Sequence, residues 1–444
     1  MGRGARGVPT TTSLAQLVSK RTARVGVIGL GYVGLPLAVE FAKEGFRVTG
    51  IDLDRKRVEG VNRGRSYILD VSSEDLRKLR QVRKLSATSS FGALGTQDVV
   101  IICVPTPLRK TREPDLSFII GATREIARRI RRGQLIVLES TTYPGTTDEV
   151  VLPALEAGGL KAGHDFCLAF SPERIDPGNP TYTTRTIPKV LGGITPRCTK
   201  VAEALYKTVM HRVVPVSSAK VAEMVKLLEN TFRAVNIGLV NEIALICDRL
   251  GIDVWEVIEA ARTKPFGFMP FYPGPGWGGH CIPSDPMYLA WKVRLHGYEA
   301  RFIELASQIN NAMPGYVVEK VSKVLNDRRK SLKGSRILLL GLAYKKDVSD
   351  TRDSPAFEVA RLLEERGAQV DYHDPYVPAA VLNGTRQTSR PLTAATLRRA
   401  DGVVVLTNHS MIDYGRVLRY APFIVDTRNQ YGRLATRSSR VIRL

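Results

Sequence analysis

Short apolar runs alternate with amphipathic stretches through the first part of the chain. Residues 24–28 and 47–51 are apolar runs of strand length, and residues 35–43 between them show helical spacing that stops before Gly45. Glycine commonly follows the last residue of a helix. Similar short apolar runs follow at 98–104, 134–139 and 167–171. Strands that alternate with helices in this way predict a parallel sheet covered by helices.

A long helical segment begins after a change of pattern near residues 213–216. Residues 219–250 keep helical spacing without an internal proline. Glu223, Lys226 and Asn230 recur at i, i+3 and i+7, so they share one polar stripe between apolar flanks. We expect this helix to connect two α/β regions, and its exposed apolar face could form a dimer core.

Shorter helices and one irregular loop follow the long helix. Residues 254–262 predict a helix, and a loop rich in proline and glycine occupies 264–279. Two further helices are predicted at 287–295 and 302–313, and Pro314 is expected to mark a break after the second.

The last part of the chain returns to alternating short runs. A helix is predicted at 354–366, and strands are predicted at 336–340, 369–372, 403–406 and 423–425. The whole pattern predicts an α/β protein with two Rossmann-like parallel-sheet domains, joined by a central helical domain with a long connecting helix. The predicted division is a basic leader at 1–20, a first Rossmann domain at 21–212, a central helical domain at 213–313 and a second Rossmann-like domain at 314–444.

Composition agrees with a folded globular protein. The 444 residues are 43% hydrophobic and 24% charged, which is enough to bury a sizeable core in two or three domains. No apolar run reaches the ~18–20 residues of a membrane helix, and the first residues lack the apolar core of a signal peptide. We therefore expect a cytoplasmic protein that does not contact a membrane.

Charge and cysteine content exclude several classes of site. The net charge is +22, but the basic residues are spread along the chain and match no nucleic-acid motif, so a nucleic-acid partner is not expected. A basic surface would also favour an anionic small substrate. The five cysteines are scattered and form no CxxC pair, which indicates reduced thiols and no bound metal.

The strongest local motif is a glycine-rich turn between the first strand and the first helix. Gly29, Gly31 and Gly34 form GxGxxG around Tyr32 and Val33. Such a turn lets backbone N–H groups and a helix N-terminus approach a pyrophosphate. It therefore predicts a dinucleotide site built from this turn.

Three side chains refine the dinucleotide prediction. Asp52 ends the second strand, where an acid can accept hydrogen bonds from the ribose hydroxyls, and this favours NAD. Arg57 lies nearby and keeps NADP open. Thr106 and Thr141 follow later strands, at the sheet edge where cofactors bind.

Cys281 has three interpretations, which local sequence leaves open. A metal-ligand role lacks partner ligands, because the adjacent His280 has poor ligand spacing and no other Cys or His lies near in sequence. As a packed thiol it would be ordinary for its residue type. As a nucleophile it would need a lowered thiol pKa, and residues 283–286 look like a helix start that could supply backbone N–H groups just after it.

Seven separated blocks resemble one family. They cover nearly everything after residue 20 and are GLGYVGLPLA (29–38), CVPTPL (103–108), ESTTYPGTT (139–147), SPERIDPGN (171–179), AEMVKLLENTFRAVNIGLVNE (222–242), GWGGHCIPSDP (276–286) and AYKKDVSDTRDSP (343–355). The chain thereby resembles the UDP-glucose/GDP-mannose dehydrogenase family of NAD-dependent sugar-nucleotide 6-dehydrogenases. Its GGHCIPSDPMYL and SPERIDPGN blocks resemble the branch that oxidises UDP-N-acetylhexosamines, especially UDP-N-acetylglucosamine. The family also implies a homodimer or higher homo-oligomer through the central helix.

The resemblance implies a four-electron oxidation of the sugar C6 alcohol to a carboxylate, with two NAD turnovers. Cys281 would attack the aldehyde to give a thiohemiacetal, which a second hydride transfer converts to a thioester. Lys226 and Asp285 would remove the hydroxyl proton, and Asn230 would join Lys226 in stabilising the oxyanion. Two further residues, Glu173 and Thr106, are implied in hydrolysis of the thioester and in positioning water or sugar.

The resemblance also implies the contacts to the sugar nucleotide. The predicted substrate residues are Glu173, Lys226, Asn230, Tyr272, Gly276, Gly278, Gly279, Lys345 and Arg428. Residues 271–279 would wrap the UDP diphosphate, and Arg352 would approach NAD. A surface salt-bridge network remains an alternative for the segment that carries Lys345 and Arg352. Pro177 occupies a position where some family members have a second glutamate.

Other functions fit parts of the same pattern. A UDP-glucose or UDP-N-acetylmannosamine 6-dehydrogenase would use the same residues. A two-electron hydroxyacid dehydrogenase would share the Rossmann domain and the helix lysine but would need neither Cys281 nor a third domain. A catalytically silent binding protein is the third alternative.

Overall fold

The structure, a computed structural model, describes residues 13–68, 70–109, 113–175, 181–279 and 281–444. The chain forms two compact units, Met1–Leu228 and Glu229–Leu444. The boundary between these two units falls inside the longest helix.

Fourteen α-helices are found in the described residues. They are α1 (Leu14–Ser19), α2 (Gly34–Lys43), α3 (Arg55–Asn62), α4 (Ser73–Gln81), α5 (Ser117–Ala127), α6 (Leu152–Glu156), α7 (Pro196–Tyr206), α8 (Ala219–Leu250), α9 (Val254–Arg262), α10 (Cys281–Arg294), α11 (Arg301–Asp327), α12 (Pro355–Glu365), α13 (Ala394–Arg399) and α14 (Tyr414–Tyr420). Short 3-10 or π turns occupy Phe91–Thr96, Thr147–Val151 and Gly432–Arg437.

The strands of the described residues belong to three sheets. They are β1 (Arg24–Ile28), β2 (Arg47–Ile51), β3 (Leu85–Thr88), β4 (Val99–Ile102), β5 (Leu135–Leu138), β6 (Cys167–Phe170), β7 (Lys189–Gly193), β8 (Val213–Pro215), β9 (Arg336–Leu340), β10 (Gln369–His373), β11 (Ala379–Leu382), β12 (Thr385–Thr388), β13 (Gly402–Val405), β14 (Ile424–Asp426) and β15 (Val441–Arg443).

The first unit is built on an eight-stranded sheet. Its strand order is β3-β2-β1-β4-β5-β6-β7-β8, and every neighbouring pair is parallel except β6 with β7. Ile28 of β1 pairs with both Ile51 of β2 and Ile102 of β4, so these three strands end level with one another. The chain order reverses at β1, and the crevice beyond such strand ends is where α/β sheets bind ligands.

Two hydrophobic clusters cover the faces of this sheet. One packs α2 and α7 on the sheet through side chains such as Phe41, Phe46 and Tyr206, which are fully buried. The other packs α5 and α6 on the opposite face. Both faces are therefore dry, which explains why the central strands read as continuous apolar runs rather than as alternating ones.

The second unit begins within α8 and contains a five-stranded parallel sheet. Its order is β10-β9-β13-β14-β15, and β11 and β12 form a separate antiparallel hairpin. Clusters on the two faces pack α11 and α12 on one side and α13 and α14 on the other. A smaller cluster packs α9, capped by the Asp253 side chain, on the second half of α8.

The predicted fold class, α/β with two Rossmann-like parallel sheets and helices between them, is confirmed. The bounds of α8, α9 and β9 agree with the predicted ranges. The division into three domains at 212/213 and 313/314 stays a prediction.

Two predicted helix boundaries were wrong. Helix α11 continues through Pro314 to Asp327, because a run of buried side chains beyond the proline, including Val317, Val318 and Val321, packs against the second sheet. That burial outweighs the one lost backbone hydrogen bond. Helix α10 begins at Cys281, several residues before its predicted start; Pro283 falls in the first turn, where a missing N–H is not needed.

Candidate active site

The turn from β1 into α2 carries the predicted dinucleotide motif. Gly29 has φ +92°, and a Cβ on Gly34 would lie 1.8 Å from the Gly29 carbonyl oxygen. Only glycine fits this closely at Gly34, so the turn is as tight as its spacing predicts. Tyr32 is 43% exposed, and Val33 occupies the position before the first residue of α2. Gly31 completes the turn, and the first N–H groups of α2 are the donors that a pyrophosphate would use.

Asp52 braces this turn from the end of β2. One carboxylate oxygen accepts the Leu30 N–H at 2.7 Å and lies 3.3 Å from Nη1 of Arg57, and the other accepts the Asp54 N–H at 2.9 Å. Arg57 is thus engaged by a carboxylate, which leaves it less suited to a 2′-phosphate. This pairing favours NAD over NADP.

The turns after β4 and β5 are joined by side-chain hydrogen bonds. The Thr106 hydroxyl donates to the Thr141 carbonyl at 2.7 Å, and the Ser140 hydroxyl donates to the Val104 carbonyl at 2.8 Å. Thr106 is buried, so its hydroxyl holds the two turns together. Together with the glycine turn and Asp52, these strand ends form a cradle that fits a dinucleotide.

The part of α8 that belongs to the first unit carries two buried polar side chains. Lys226 is only 6% exposed and Glu223 is fully buried. The Glu223 carboxylate accepts the N–H groups of Gly145 and Thr147 and the Thr147 hydroxyl, which ties the turn after β5 to α8. Burial raises the pKa of Glu223 to about 7 despite these donors.

Glu173 lies at the end of β6 with both carboxylate oxygens in use. One accepts the N–H groups of Arg174 and Ile175 at 2.7 and 2.8 Å, and the other accepts Nζ of Lys189 at 3.1 Å. Burial by itself would raise the pKa of Glu173, but the charge and hydrogen bond of Lys189 and the two backbone donors outweigh it. The net pKa is therefore lowered. Pro177 and the rest of 176–180 lie outside the described residues.

The predicted nucleophile is the first residue of α10, in the second unit. Cys281 is exposed, and Asp285 follows one turn later and is 2% exposed. Unpaired N–H groups at a helix N-terminus favour a thiolate, so this position suits a reactive cysteine. His280 lies outside the described residues.

Asn230 links α8 to α10 within the second unit. Its amide nitrogen donates to the Asp285 carboxylate, and its amide oxygen accepts from the guanidinium of Arg233. The fully buried amide is therefore oriented from both sides. Arg233 was missed by the sequence reading, although its i, i+3 spacing from Asn230 on a helix was the available signal.

The loop before α10 is packed closely on the segment 343–355. A Cβ on Gly278 would lie 2.8 Å from Cβ of Tyr344, and one on Gly279 would lie 2.8 Å from the Tyr344 ring. Gly276 has φ +127°, and a Cβ on it would lie 3.1 Å from the Asn310 carbonyl oxygen and 3.3 Å from Cβ of Pro355. These glycines have a structural reason to be small, which is independent of the predicted diphosphate contact.

Tyr272 lies on the other side of this loop. Its hydroxyl donates to Glu259 at 2.7 Å, and its ring stacks on Trp255 with the ring centroids 6.1 Å apart. The Tyr272 side chain is 42% exposed, so the predicted substrate contact is sterically open.

Arg428 approaches the same loop from β14. Its Nε donates to the Leu406 carbonyl at 2.8 Å, and a Cβ on Gly274 would lie 2.7 Å from its Nη1. Burial lowers the pKa of Arg428 to about 10, partly offset by Asp426. A half-buried guanidinium beside a glycine-rich loop has the chemistry of an anion contact.

The two basic residues predicted in 343–355 differ in environment. Lys345 is half-buried, whereas Arg352 is exposed and forms a bidentate pair with Asp350, with distances of 2.6–3.1 Å. Within the second unit, Arg352 therefore forms the kind of surface ion pair that the sequence left open as an alternative role for this segment. The Arg352 carbonyl accepts the Gly279 N–H at 3.1 Å, which joins the two segments.

Other functional candidates were not found by sequence reading. Lys189 begins a strand that was not predicted, and Tyr67 donates to the Leu30 carbonyl at 2.8 Å from beneath the glycine turn. His409, fully buried, accepts the Asp347 N–H and bonds Asp374. Each is far in sequence from the motif it supports, so no local signal marked it.

Comparison with known proteins finds one family whose domains match most of the chain. Three domains of the UDP-glucose/GDP-mannose dehydrogenase family match the chain. They are the NAD binding domain at residues 23–210, the central domain at 220–312 and the UDP binding domain at 338–433. The described residues include no helix long and apolar enough to cross a membrane.

Individual relatives are similar over most of their length. The chain is 40% identical to UDP-N-acetyl-D-glucosamine 6-dehydrogenase of Pseudomonas aeruginosa, over 80% of this chain and 83% of that protein. It is 35% identical to UDP-N-acetyl-D-mannosamine dehydrogenase of Pyrococcus horikoshii, over 91% and 95%. The solved structure of the Pyrococcus horikoshii UDP-D-ManNAc dehydrogenase superposes with a TM-score of 0.84 at 34% identity, covering 92% of this chain and 96% of that chain.

Proposed function

The chain belongs to the UDP-glucose/GDP-mannose dehydrogenase family, and from this premise we propose that it is a cytosolic UDP-N-acetylglucosamine 6-dehydrogenase. It would oxidise C6 of the sugar to a carboxylate and so supply an aminouronic acid nucleotide for surface polysaccharide. The observation that carries the proposal is the position of Cys281 at the start of α10, one turn before an Asp285 that Asn230 holds.

The proposed chemistry is a balanced four-electron oxidation that releases two NADH, with water as the oxygen source. NAD, when bound at the cradle around Gly29–Gly34 and Asp52, accepts a hydride in each oxidation. Lys226 and Asp285 act together in removing the proton of the C6 hydroxyl in the first oxidation: the Asp285 carboxylate accepts it, while the Lys226 ammonium, with Asn230, stabilises the developing oxyanion.

Cys281 then carries the second half of the reaction. Its thiolate bonds to the aldehyde carbon, and loss of a second hydride leaves a thioester. Water adds to the thioester carbon, its proton passes to Glu173, the carbon–sulfur bond breaks and the thiolate is released. The start of a 14-residue helix supports this role for the thiol.

Recognition of the nucleotide sugar is proposed for the second unit. Arg428, which lies beside Gly274, and Lys345 are half-buried cations suited to phosphate or uronate oxygens. Tyr272 and the glycines at 276, 278 and 279 would line the same ligand. Arg352 is proposed to approach NAD, for which it would exchange its Asp350 partner.

The alternative substrates are UDP-N-acetylmannosamine and UDP-glucose. The names of similar proteins include both N-acetylhexosamines, and the higher identity to the glucosamine enzyme favours the first. We also propose a homodimer or higher homo-oligomer through α8, whose exposed apolar side chains include Leu228, Leu239 and Leu250.

The decisive experiment measures NADH released per UDP-sugar consumed, with UDP-N-acetylglucosamine, UDP-N-acetylmannosamine and UDP-glucose in parallel. We expect two NADH per sugar and the highest kcat/KM with UDP-N-acetylglucosamine. One NADH per sugar would instead indicate a two-electron dehydrogenase, and preference for another sugar would reject the substrate assignment.

The variant Cys281→Ser separates binding from chemistry. It should bind the UDP-sugar with a Kd close to that of the wild type and form no net carboxylate. The matched control is Cys247→Ser, because Cys247 is buried between α8 and α9, away from any proposed role. Full carboxylate formation by Cys281→Ser would remove the thioester step.

A further inference from the structure

A buried ion cluster lies behind Glu173 in the first unit. Lys189, at the start of β7, is only 4% exposed, and its Nζ lies 2.8 Å from the Glu139 carboxylate and 3.1 Å from that of Glu173. Glu139 directly follows β5 and is 1% exposed, and the Tyr206 hydroxyl from α7 donates to its second oxygen. One buried lysine is therefore shared by two buried carboxylates.

Neighbouring hydrogen bonds hold the loop that carries Glu173 against the strand that carries Lys189. The Ser171 hydroxyl donates to the Val190 carbonyl at 2.8 Å, and the Arg174 guanidinium donates to the Pro188 carbonyl at 2.6 Å. The loop that carries Glu173 is thus attached to β7 on both sides of Lys189. The Lys189 ammonium also lies 5.5 Å from the centre of the Tyr206 ring.

Several other titratable and charged groups surround the two carboxylates. The titratable and charged groups around Glu173 are Lys189, Glu139, Tyr206, Cys103 and Arg174. The guanidinium of Arg174 faces the Pro188 carbonyl, and burial raises the pKa values of Cys103 and Tyr206, so those two groups stay neutral. Among the described residues around Glu173, Lys189 is the cation whose ammonium contacts both carboxylates.

The two carboxylates share that cation unequally. Glu173 has two backbone donors in addition to Lys189, whereas Glu139 has Lys189 and a tyrosine hydroxyl. Burial raises the pKa of Glu139, while Lys189 and the backbone donors lower that of Glu173. A proton that enters this cluster is therefore expected on Glu139 before Glu173.

We propose that Lys189 is a positioning residue that holds Glu173 ionised and in one orientation for hydrolysis of the thioester. This inference rests on the proposed function, in which the Glu173 carboxylate receives the proton of the attacking water. Without the lysine, a buried carboxylate next to a second carboxylate would be protonated at higher pH and could not accept that proton. Glu139 acts as the second anchor of the lysine.

The test compares Lys189→Met, which removes the charge, with Lys189→Arg, which keeps it. For each variant, kcat and KM are measured from about pH 4 to pH 10, so that the range includes the acid limb set by a carboxylate whose pKa is lowered, and a covalent adduct on Cys281 is sought by mass spectrometry. In Lys189→Met we expect the acid limb of kcat to move to higher pH by one unit or more, which is about a tenfold loss of kcat per unit on that limb. An adduct should accumulate at low pH, so kcat and the KM for the UDP-sugar should fall together there while kcat/KM stays within about threefold.

Lys189→Arg should retain the wild-type pH profile. Lys207→Met is the matched control, because Lys207 follows α7 and is 62% exposed, where it pairs with Glu203. A wild-type pH profile in Lys189→Met, or an equal shift in Lys189→Arg, would overturn the proposal.

A second variant guards against loss of folding. Lys189→Met/Glu139→Gln removes one charge of each sign, so it avoids leaving two buried carboxylates without a cation. Because Glu173 still loses its lysine, the acid limb should again move to higher pH, and an unmoved limb would contradict the role of Lys189.

Failure of the proposed function has a different signature. In that case the wild-type protein would form no NADH with any UDP-sugar. The Lys189–Glu173 interaction is then measured by a double-mutant cycle of unfolding with Lys189→Met and Glu173→Gln. A clear coupling in that cycle would support the ionic anchor, and zero coupling would reject it.

Discussion

At the scale of single residues, two neighbours on α8 have different roles: Glu223 makes a structural contact, and Lys226 has the proposed chemical role. Its carboxylate is fully buried and bonds the turn at Gly145 and Thr147, while Lys226 lies one turn further along the helix. The sequence predicts that both lie on one polar stripe, but helical spacing does not show which of the two side chains is engaged in a structural hydrogen bond.

The raised pKa of Glu223 gives a testable pH dependence. Its pKa rises from 4.5 to about 7 because burial disfavours the charged form. Between these values the folded protein keeps the proton that the unfolded chain has lost, so the free energy of unfolding falls as pH rises, by about 3 kcal/mol from this group.

We expect Glu223→Gln to remove this contribution. The difference in unfolding free energy between the variant and the wild type should change by about 3 kcal/mol in favour of the variant between about pH 4.5 and pH 8. Urea unfolding at several pH values measures it. Glu149→Gln, a substitution in the same turn region, serves as the control, and a pH-independent difference for Glu223→Gln would contradict the assignment.

At the scale of elements, the segment 343–350 is supported by a buried relay. One Asp374 oxygen accepts the N–H groups of Leu342 and Ala343 at 2.7 and 3.0 Å and lies 3.1 Å from Nε2 of His409. Nδ1 of His409 accepts the Asp347 N–H at 2.9 Å, so the ring is assigned the neutral tautomer with its proton on Nε2.

Asp374 accepts a backbone N–H of the loop after β9, as Asp52 accepts the Leu30 N–H after β1 in the first unit, but the two carboxylates differ in accessibility. Asp52 keeps a partly accessible carboxylate, whereas Asp374 is 1% exposed and fully occupied by its donors. The second sheet therefore uses the acid at the end of its second strand to hold a loop, and this fits the absence of a GxGxxG motif after β9.

Removal of His409 should loosen this segment. We expect His409→Ala to lower the free energy of unfolding by about 1–3 kcal/mol, because it leaves buried partners unpaired, and to raise the KM for the UDP-sugar more than that for NAD. His296→Ala, at an exposed histidine after α10, is the control. Unchanged stability and an unchanged KM for the sugar would show that the relay is dispensable.

Helix boundaries at this scale were predicted well where local signals and packing agreed. Asp253 caps α9 and the predicted range matches, whereas Pro314 suggested a break that α11 does not have. A proline costs one hydrogen bond locally, but the burial that offsets it comes from residues distant in sequence.

At the scale of the whole molecule, α8 presents an apolar stripe that has no local explanation. The exposed apolar side chains recur at helical spacing and are Val221, Met224, Leu228, Phe232, Leu239, Ile246 and Leu250. Such a stripe on a long helix is typical of a contact between copies of one chain.

Charge placed on this stripe should therefore change assembly. We expect Leu239→Glu to shift the protein from a dimer or higher oligomer toward monomer in sedimentation velocity. Val82→Glu is the control, because Val82 is a similarly exposed apolar residue beside α4. A monomeric wild type, or an unshifted Leu239→Glu, would reject assembly through α8.

The sequence by itself determined the fold class, the glycine turn with Asp52 and the helix that carries Lys226 and Asn230. Those features depend on local spacing, which periodicity and motif context report directly. Only the tertiary structure decided that Lys189 joins Glu139 to Glu173, that Asn230 holds Asp285, and that glycines before α10 accommodate Tyr344. The reason is physical: the cost of burying a charge, or of omitting a Cβ, is set by neighbours that only the folded chain brings together.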